Sequence, residues 1–497
     1  LKAWRCSVCG YVHREAEAPE WCPVCGSPRQ EFEEFEETRD AAAETAAGRW
    51  QCLNCSYVHT GPEPPDECPI CDSSADRFEA LGEAAEKLEG IEKETDVVVV
   101  GAGIAGISAI ESLRSASQSA RITLISKEPD LPYYRLNLTR YLAGEIGEEE
   151  LPIHPKSWYR EQNVNLLLGN EVSSIGLDKQ IVELCGGGER PFEKLILTVG
   201  AHPFLPPFPG AYREGVTSLR SLDQAKRILA FPLDGAKCVC IGGGLLGLET
   251  AGALARRGAD VTLLEGYGWL LPRQLSRRAG ETLKHHVSET GIGLMTETRT
   301  SEILGDERVH AVLLEDGSTL PADLVVIATG IRPNSYLARL AGLEVNQGII
   351  VDNHLFSSHP NVLAAGDVAE HRGTIYGIWG PSQYQGSIAG MNAVGLNTEF
   401  GGIPRSNTLK VLGLDLFSIG QIEPEDASFE VVEKDGGGEH FRFVFRDSRM
   451  VGAILLGDTT LMSGIKKAIE KKADFSELLA KRPNAGNVLE ELKGRFG

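Results

Sequence analysis

The chain is 497 residues long, with 56 glycines, 11 cysteines and a formal charge of −21 at neutral pH. That length exceeds what one hydrophobic core serves and predicts several domains. The charge disfavours nucleic acid and anionic membranes as partners, and no apolar run approaches the ~20 residues of a membrane span.

The acidity is concentrated at the front, where residues 1–95 carry 21 Asp and Glu against 9 Lys and Arg, a net −12. The first residues, Leu-Lys-Ala-Trp, lead directly into a cysteine motif without the apolar core of a secretory signal, so a cytoplasmic location is expected. Cys6 and Cys9 are followed after twelve residues by Cys22 and Cys25, and Cys52, Cys55, Cys68 and Cys71 repeat the pattern 46 positions on. Each module supplies four thiolates on two tight turns, as a tetrahedral metal site requires. Trp4 and Trp50, His13 and His59, Pro19 and Pro65, and Phe32 and Phe78 also align, so the modules are duplicates. The two histidines read as module-surface or packing residues, because four thiolates already complete each site. The Glu- and Ala-rich stretches after the modules read as solvated linkers that leave both modules mobile.

Next comes a buried-strand pattern at 96–100, the turn Gly101-Ala102-Gly103-Ile104-Ala105-Gly106, a helical segment, a strand at 121–125, and Glu128, 22 positions beyond Gly106. The order recurs with a strand at 238–241, the turn Gly242-Gly243-Gly244-Leu245-Leu246-Gly247, a helix to Arg256, a strand at 261–264 and Glu265. Such turns let a pyrophosphate approach the backbone at a helix N-terminus, while the acid accepts from ribose hydroxyls. Gly266, Tyr267 and Gly268 follow Glu265 with no arginine placed for a 2′-phosphate, the nearest downstream base being Arg273, so NADH is expected over NADPH. Cys238 and Cys240 flank one strand residue and read as small core residues, which argues against a disulfide redox centre.

Cys6-Ser7-Val8-Cys9-Gly10-Tyr11 and Trp21-Cys22-Pro23-Val24-Cys25-Gly26 resemble rubredoxin domains of the short, rubrerythrin type. From residue 96 to about 457 the chain resembles the FAD-dependent pyridine-nucleotide oxidoreductases, especially NADH:rubredoxin reductases and the flavin half of assimilatory nitrite reductases. Leu131-Pro132-Tyr133-Tyr134-Arg135, the crossing segments 195–200 and 325–330, and Ala364-Ala365-Gly366-Asp367-Val368-Ala369 carry that likeness. The resemblance implies FAD on the first turn, with Gly101, Gly103, Gly106, Glu128, Arg135, Gly200, Gly366 and Asp367, and NADH on the second, with Gly242, Gly244, Gly247, Glu265 and Gly330. Glu249 and Arg140 are implied beside the flavin, Arg140 standing where some relatives place a lysine.

The expected fold is therefore multidomain: two four-cysteine rubredoxin-like knuckles ahead of an α/β flavoprotein with two dinucleotide-binding domains and a small α+β C-terminal interface domain. The divisions are rubredoxin-like domains at 1–35 and 49–80, linkers at 36–48 and 81–95, FAD-binding parts at 96–215 and 325–402, an NAD-binding domain at 216–324, an interface domain at 403–457, and a solvated helical extension at 458–497. Ser56 and Asp72 replace glycines of the first module, which is expected to lower the reduction potential of the Cys52 site relative to the Cys6 site.

Four thiolates alone leave zinc and iron open; the rubredoxin resemblance and the fusion to a flavin reductase favour two iron centres. The function expected is transfer of electrons from NADH through FAD to those centres and on to a redox partner protein, such as a diiron peroxidase or flavodiiron oxygen reductase, or the reverse. No general base is required. The alternatives are a flavin NADH oxidase or peroxidase, and a flavoprotein subunit of a larger complex whose zinc-filled modules serve as docking adaptors.

Overall fold

The run Asp96–Val100, one aspartate and four valines, forms a strand whose valines are all buried, as in a parallel sheet covered on both faces. The computed structural model describes residues 94–496 apart from 403–405 and 437, together with 2–6, 12–13, 29, 32–36, 48–52, 58–66, 68, 75 and 78–81. In the first large sheet five parallel strands run Val362–Ala364, Lys194–Leu197, Asp96–Val100, Arg121–Ile125, Val164–Leu167. The second repeats the design with Val216–Thr217, Leu324–Ile327, Lys237–Ile241, Asp260–Leu264, Gly293–Met295. Each is accompanied by a three-stranded antiparallel meander, 172–191 in one case and 300–321 in the other. Since Val362–Ala364 completes the first sheet only after the second has been built, the first unit is discontinuous.

Two crossing strands join the units, Ala201–Pro203 pairing antiparallel with Ile331–Pro333. Their hydrogen bonds are reciprocal: the Gly200 carbonyl accepts from the Asn334 amide at 2.9 Å and the Gly330 carbonyl from the Phe204 amide at 2.8 Å. Behind the first sheet, the helices Ile104–Ala116 and Trp379–Ala393 approach backbone to backbone. A Cβ at Gly386 or Gly390 would run into the Ala105 or Ala109 carbonyl, so the crossing depends on both glycines.

The C-terminal unit is a five-stranded antiparallel sheet in the order Ser406–Val411, Leu414–Gly420, Arg449–Leu456, Glu439–Arg446, Phe429–Gly436. Against the expectation of a solvated extension, the helices Met462–Glu470, Ser476–Leu479 and Ala485–Phe496 cover that sheet. Met462, Ile465, Ala468, Phe475, Leu479, Val488 and Leu492 are buried with Phe417, Phe443 and Phe445 in one core. Apolar residues at helical spacing, set among many lysines, explain the difference.

Both cysteine modules show a three-stranded antiparallel sheet, with Lys2–Cys6 or Gly48–Cys52 at its centre. The 46-residue repeat extends to the register, since Trp4 pairs with His13 and Cys6 with Phe32 as Trp50 pairs with His59 and Cys52 with Phe78. The second module rests on the body: Tyr134 packs against its buried Cys52, Cys68 and Phe78, and Lys467 Nζ lies 3.4 Å from Glu79 Oε1. That contact differs from the mobile tether expected for it. Residues 37–47 and 82–93, the linkers proper, lie outside the described residues. No helix among the described residues is long and apolar enough to cross a membrane.

Candidate nucleotide and electron-transfer site

The two glycine turns are alike in their construction. Gly101 has φ +106° and lies against the Thr198 carbonyl; Gly242 has φ +113° and lies against that of Ala328. Added Cβ atoms at Gly106 and Gly247 would strike the carbonyls of Gly101 and Gly242, so these glycines let each helix close on its strand. Gly103 and Gly244 differ: a Cβ there would meet no protein atom within 4 Å. Both are N-caps of helices, Ile104–Ala116 and Leu245–Arg256, that have neither a capping side chain nor an acidic residue in the first turn. The backbone at both turns is thus open at a positive helix end, which fits a pyrophosphate.

Around the first turn the expected residues form one network. Arg135 donates to Glu128 Oε1 at 2.7 Å, and the Tyr133 hydroxyl donates to Glu128 Oε2 at 2.6 Å. Arg135 also donates to the Arg220 carbonyl, and the Arg220 guanidinium reaches Asp367 Oδ2 at 3.0 Å. Ser382 donates to Asp367 Oδ1 at 3.2 Å, and the Gly366 amide, at φ +81°, donates to Gln385 Oε1 at 2.9 Å. Arg220 therefore ties Glu128 and Arg135 to Asp367, well over 200 positions along the chain, and nothing in its own sequence context marks it. The buried Trp379 Nε1 and Gln385 Nε2 have no hydrogen-bond partner among the described residues. Two such donors beside the Gly366-Asp367 turn fit a ligand rich in acceptors, as FAD is.

In the second unit the buried Glu265 carboxylate accepts from the Gly243 amide at 2.8 Å and the Tyr267 amide at 2.7 Å, holding both flanks of the turn. The space beside Gly266 is occupied by Arg299, whose Cγ would lie 3.7 Å from an added Cβ. Arg299 comes from a later strand region, so scanning downstream of Glu265 could not find it.

Glu249 and Arg140 sit on the facing helices Leu245–Arg256 and Leu138–Ala143. Thr139 donates to Glu249 Oε2 at 3.1 Å, while Arg140 Nε lies 3.5 Å from Glu145 Oε2. Burial pushes the Glu249 carboxyl up to about 7, against the hydrogen bond from Thr139, which lowers it. Cys238 and Cys240 are buried on one face of their strand, in a single core cluster. Burial raises the Cys238 thiol to about 12 and that of Cys240 higher still, so neither is a reactive thiolate.

Of the eight proposed metal ligands, Cys52 and Cys68 are fully buried in the same small cluster, and the backbone of Cys6 ends a central strand. Cys9, Cys22, Cys25, Cys55 and Cys71 lie outside the described residues, as do Ser56 and Asp72. Among the described residues no group of three or more His, Cys, Asp or Glu side chains is placed to hold a metal ion.

Residues 95–389, more than half of the chain, match the pyridine nucleotide-disulphide oxidoreductases. The chain belongs to that family. Membership makes it a flavin-dependent NAD(P)H oxidoreductase, a class that the paired turns suit. Residues 406–473 match the rubredoxin NAD+ reductase C-terminal domain, and 4–33 and 50–79 each match the rubredoxin-like domain of rubrerythrin. Among individual relatives, an NAD(P)H nitrite reductase of Bacillus subtilis is 36% identical over 384 residues, 77% of this chain and 48% of that protein. The chain thus spans about half the length of such relatives. An NADH-rubredoxin oxidoreductase of Clostridium acetobutylicum is 29% identical over 388 residues, 78% of this chain and 97% of the relative. Its crystal structure superposes with a TM-score of 0.69, at 28% identity over 80% of this chain and all of that one. The covalent putidaredoxin reductase–putidaredoxin complex gives a TM-score of 0.73, at 26% identity over 80% of this chain and 98% of that one.

Proposed function

We propose that this oxidoreductase takes electrons from NADH and passes them through FAD to two tetrathiolate iron centres of its own, and from there to a redox partner protein. The observation that carries the reading is the fusion, in one chain, of two four-cysteine modules with a body holding two dinucleotide turns. A redox-silent ion would leave such a fusion without purpose, which favours iron over zinc.

In this reading 96–215 and 325–402 hold FAD, through Gly101, Gly103, Gly106, Glu128, Arg135, Gly200, Gly366 and Asp367. The unit 216–324 holds NADH through Gly242, Gly244, Gly247 and Glu265, with Gly330 at the crossing. Bound flavin supplies the conversion of a two-electron hydride into single electrons, the unit in which a tetrathiolate iron changes. The protein's part is positional. Gly103 and Gly244 admit phosphates, and the Arg220–Asp367 pair fixes the second motif against the first. Glu265 favours an unphosphorylated ribose, although Arg299 beside Gly266 overturns the expectation that no arginine stands there, and Glu249 with Arg140 lines the meeting of the two units. No residue is needed as a general base.

Stopped-flow absorbance of the metal-loaded protein after mixing with NADH tests the order of events. Flavin bleaching followed by bleaching of the thiolate–iron bands is expected; iron that stays oxidised beside fully reduced flavin contradicts the relay.

A further inference from the structure

Three features coincide where the second cysteine module meets the body. The Tyr134 ring packs on the cluster of Cys52, Cys68 and Phe78. The same ring lies 5.6 Å from that of Trp379, the first residue of the helix Trp379–Ala393, whose Ser382 and Gln385 bond the Gly366-Asp367 turn. The helix Met462–Glu470 brings two lysines up to the same module. Lys467 Nζ is 3.4 Å from Glu79 Oε1, while Lys466 has its Nζ 5.7 Å from the Phe417 ring centre, where burial lowers its pKa.

The chemistry of these groups is complementary. A tetrathiolate site is net negative with either ferric or ferrous iron, and its module is acidic. Lys467, paired with Glu79, attracts the module, and a cation there favours the reduced, more negative state. Lys467 is held in place because Met462, Ile465 and Ala468 of the same helix are buried in the C-terminal core. Tyr134 belongs to the segment that carries Tyr133 and Arg135, the partners of Glu128. The module's sulfur cluster is thus separated by one aromatic side chain from the residues that frame the first nucleotide turn.

We propose that Tyr134 and the Met462–Glu470 helix form an intramolecular docking seat for the second cysteine module, making the Cys52 site, ahead of the Cys6 site, the first to exchange electrons with the flavin-binding unit. This rests on the relay proposed above. Each electron leaving the reduced flavin converts one ferric site to ferrous, so the two sites together take the pair delivered by one NADH.

Zero-length carbodiimide cross-linking of the full metal-loaded chain tests the seat without reference to electron flow. An intramolecular Glu79–Lys467 amide, with a yield independent of protein concentration, is expected. Lys467→Glu abolishes it, and the swap of Glu79→Lys with Lys467→Glu restores it in reverse. Single-site variants test the order. Cys6→Ser/Cys9→Ser should keep the fast phase of iron reduction, whereas Cys52→Ser/Cys68→Ser should slow iron reduction at least tenfold. A missing or concentration-dependent cross-link, or equal rates in the two variants, overturns the proposal. Where neither variant's iron is reduced although the flavin is, the relay itself has failed; an intact cross-link then tells that failure from loss of the seat.

Discussion

The Thr139 hydroxyl donates to Glu249 at 3.1 Å, linking a helix of the first nucleotide unit to a helix of the second. Because burial raises this carboxyl to about 7, the folded protein retains a proton that the unfolded chain releases near the ordinary value of 4.5. Its contribution to stability is complete below about pH 4.5 and is lost as pH rises through about 7, a change of about 3 kcal/mol. Urea denaturation of the wild type and Glu249→Gln at pH 5 and pH 8 checks this. The variant gains clearly more on the wild type at pH 8 than at pH 5. Thr139→Val, by removing the bond that opposes burial, moves the wild-type decline to higher pH.

Arg220 lies outside the recognised motifs and holds two of them together, through Asp367 and Arg135. Loss of a charged hydrogen bond costs about 1.5–3 kcal/mol. Arg220→Met should therefore weaken FAD retention by roughly tenfold to a hundredfold, measured by titrating flavin into deflavinated protein. NADH binding to the second unit should change little.

Two glycines of one turn should fail in different ways. At Gly247 an alanine methyl meets the Gly242 carbonyl, so Gly247→Ala destabilises the second unit by about 1–3 kcal/mol. At Gly244 the same methyl meets no protein atom within 4 Å, so Gly244→Ala should leave the melting temperature nearly unchanged while NADH binding falls. Calorimetry beside equilibrium NADH binding separates the two; equal melting losses would contradict the reading of Gly244 as a phosphate approach.

Ile465 is fully buried between the C-terminal helices and the sheet. Ile465→Ala should cost about 2–5 kcal/mol and free the lysines of its helix from their fixed place, so that amide exchange rises both there and in Phe78–Leu81. Unchanged exchange in Phe78–Leu81 would detach the helix from any part in docking.

What could be read from the chain was what is local. The strand, the three glycines and the acid of each turn lie within about 30 residues, where backbone sterics and spacing speak directly. The duplicated modules were legible for the same reason, as a 46-residue repeat of cysteines and aromatic residues. Arg220, Arg299, Thr139 and Trp379 were not, because each reaches its site from a separate segment and belongs to no motif there. The tail's many lysines mask an apolar stripe of Ile465, Leu479, Val488 and Leu492, which bury at helical spacing. Its reach to Glu79 depends on tertiary placement that periodicity does not encode.

The central claim, that the chain stores electrons on iron as well as on flavin, is tested most directly by anaerobic titration with NADH while flavin and thiolate–iron absorbance are followed together. The account predicts that full bleaching consumes two NADH per chain, one for the flavin and one shared between the two metal sites. Complete reduction by a single NADH, with metal sites that are colourless from the start, would contradict it.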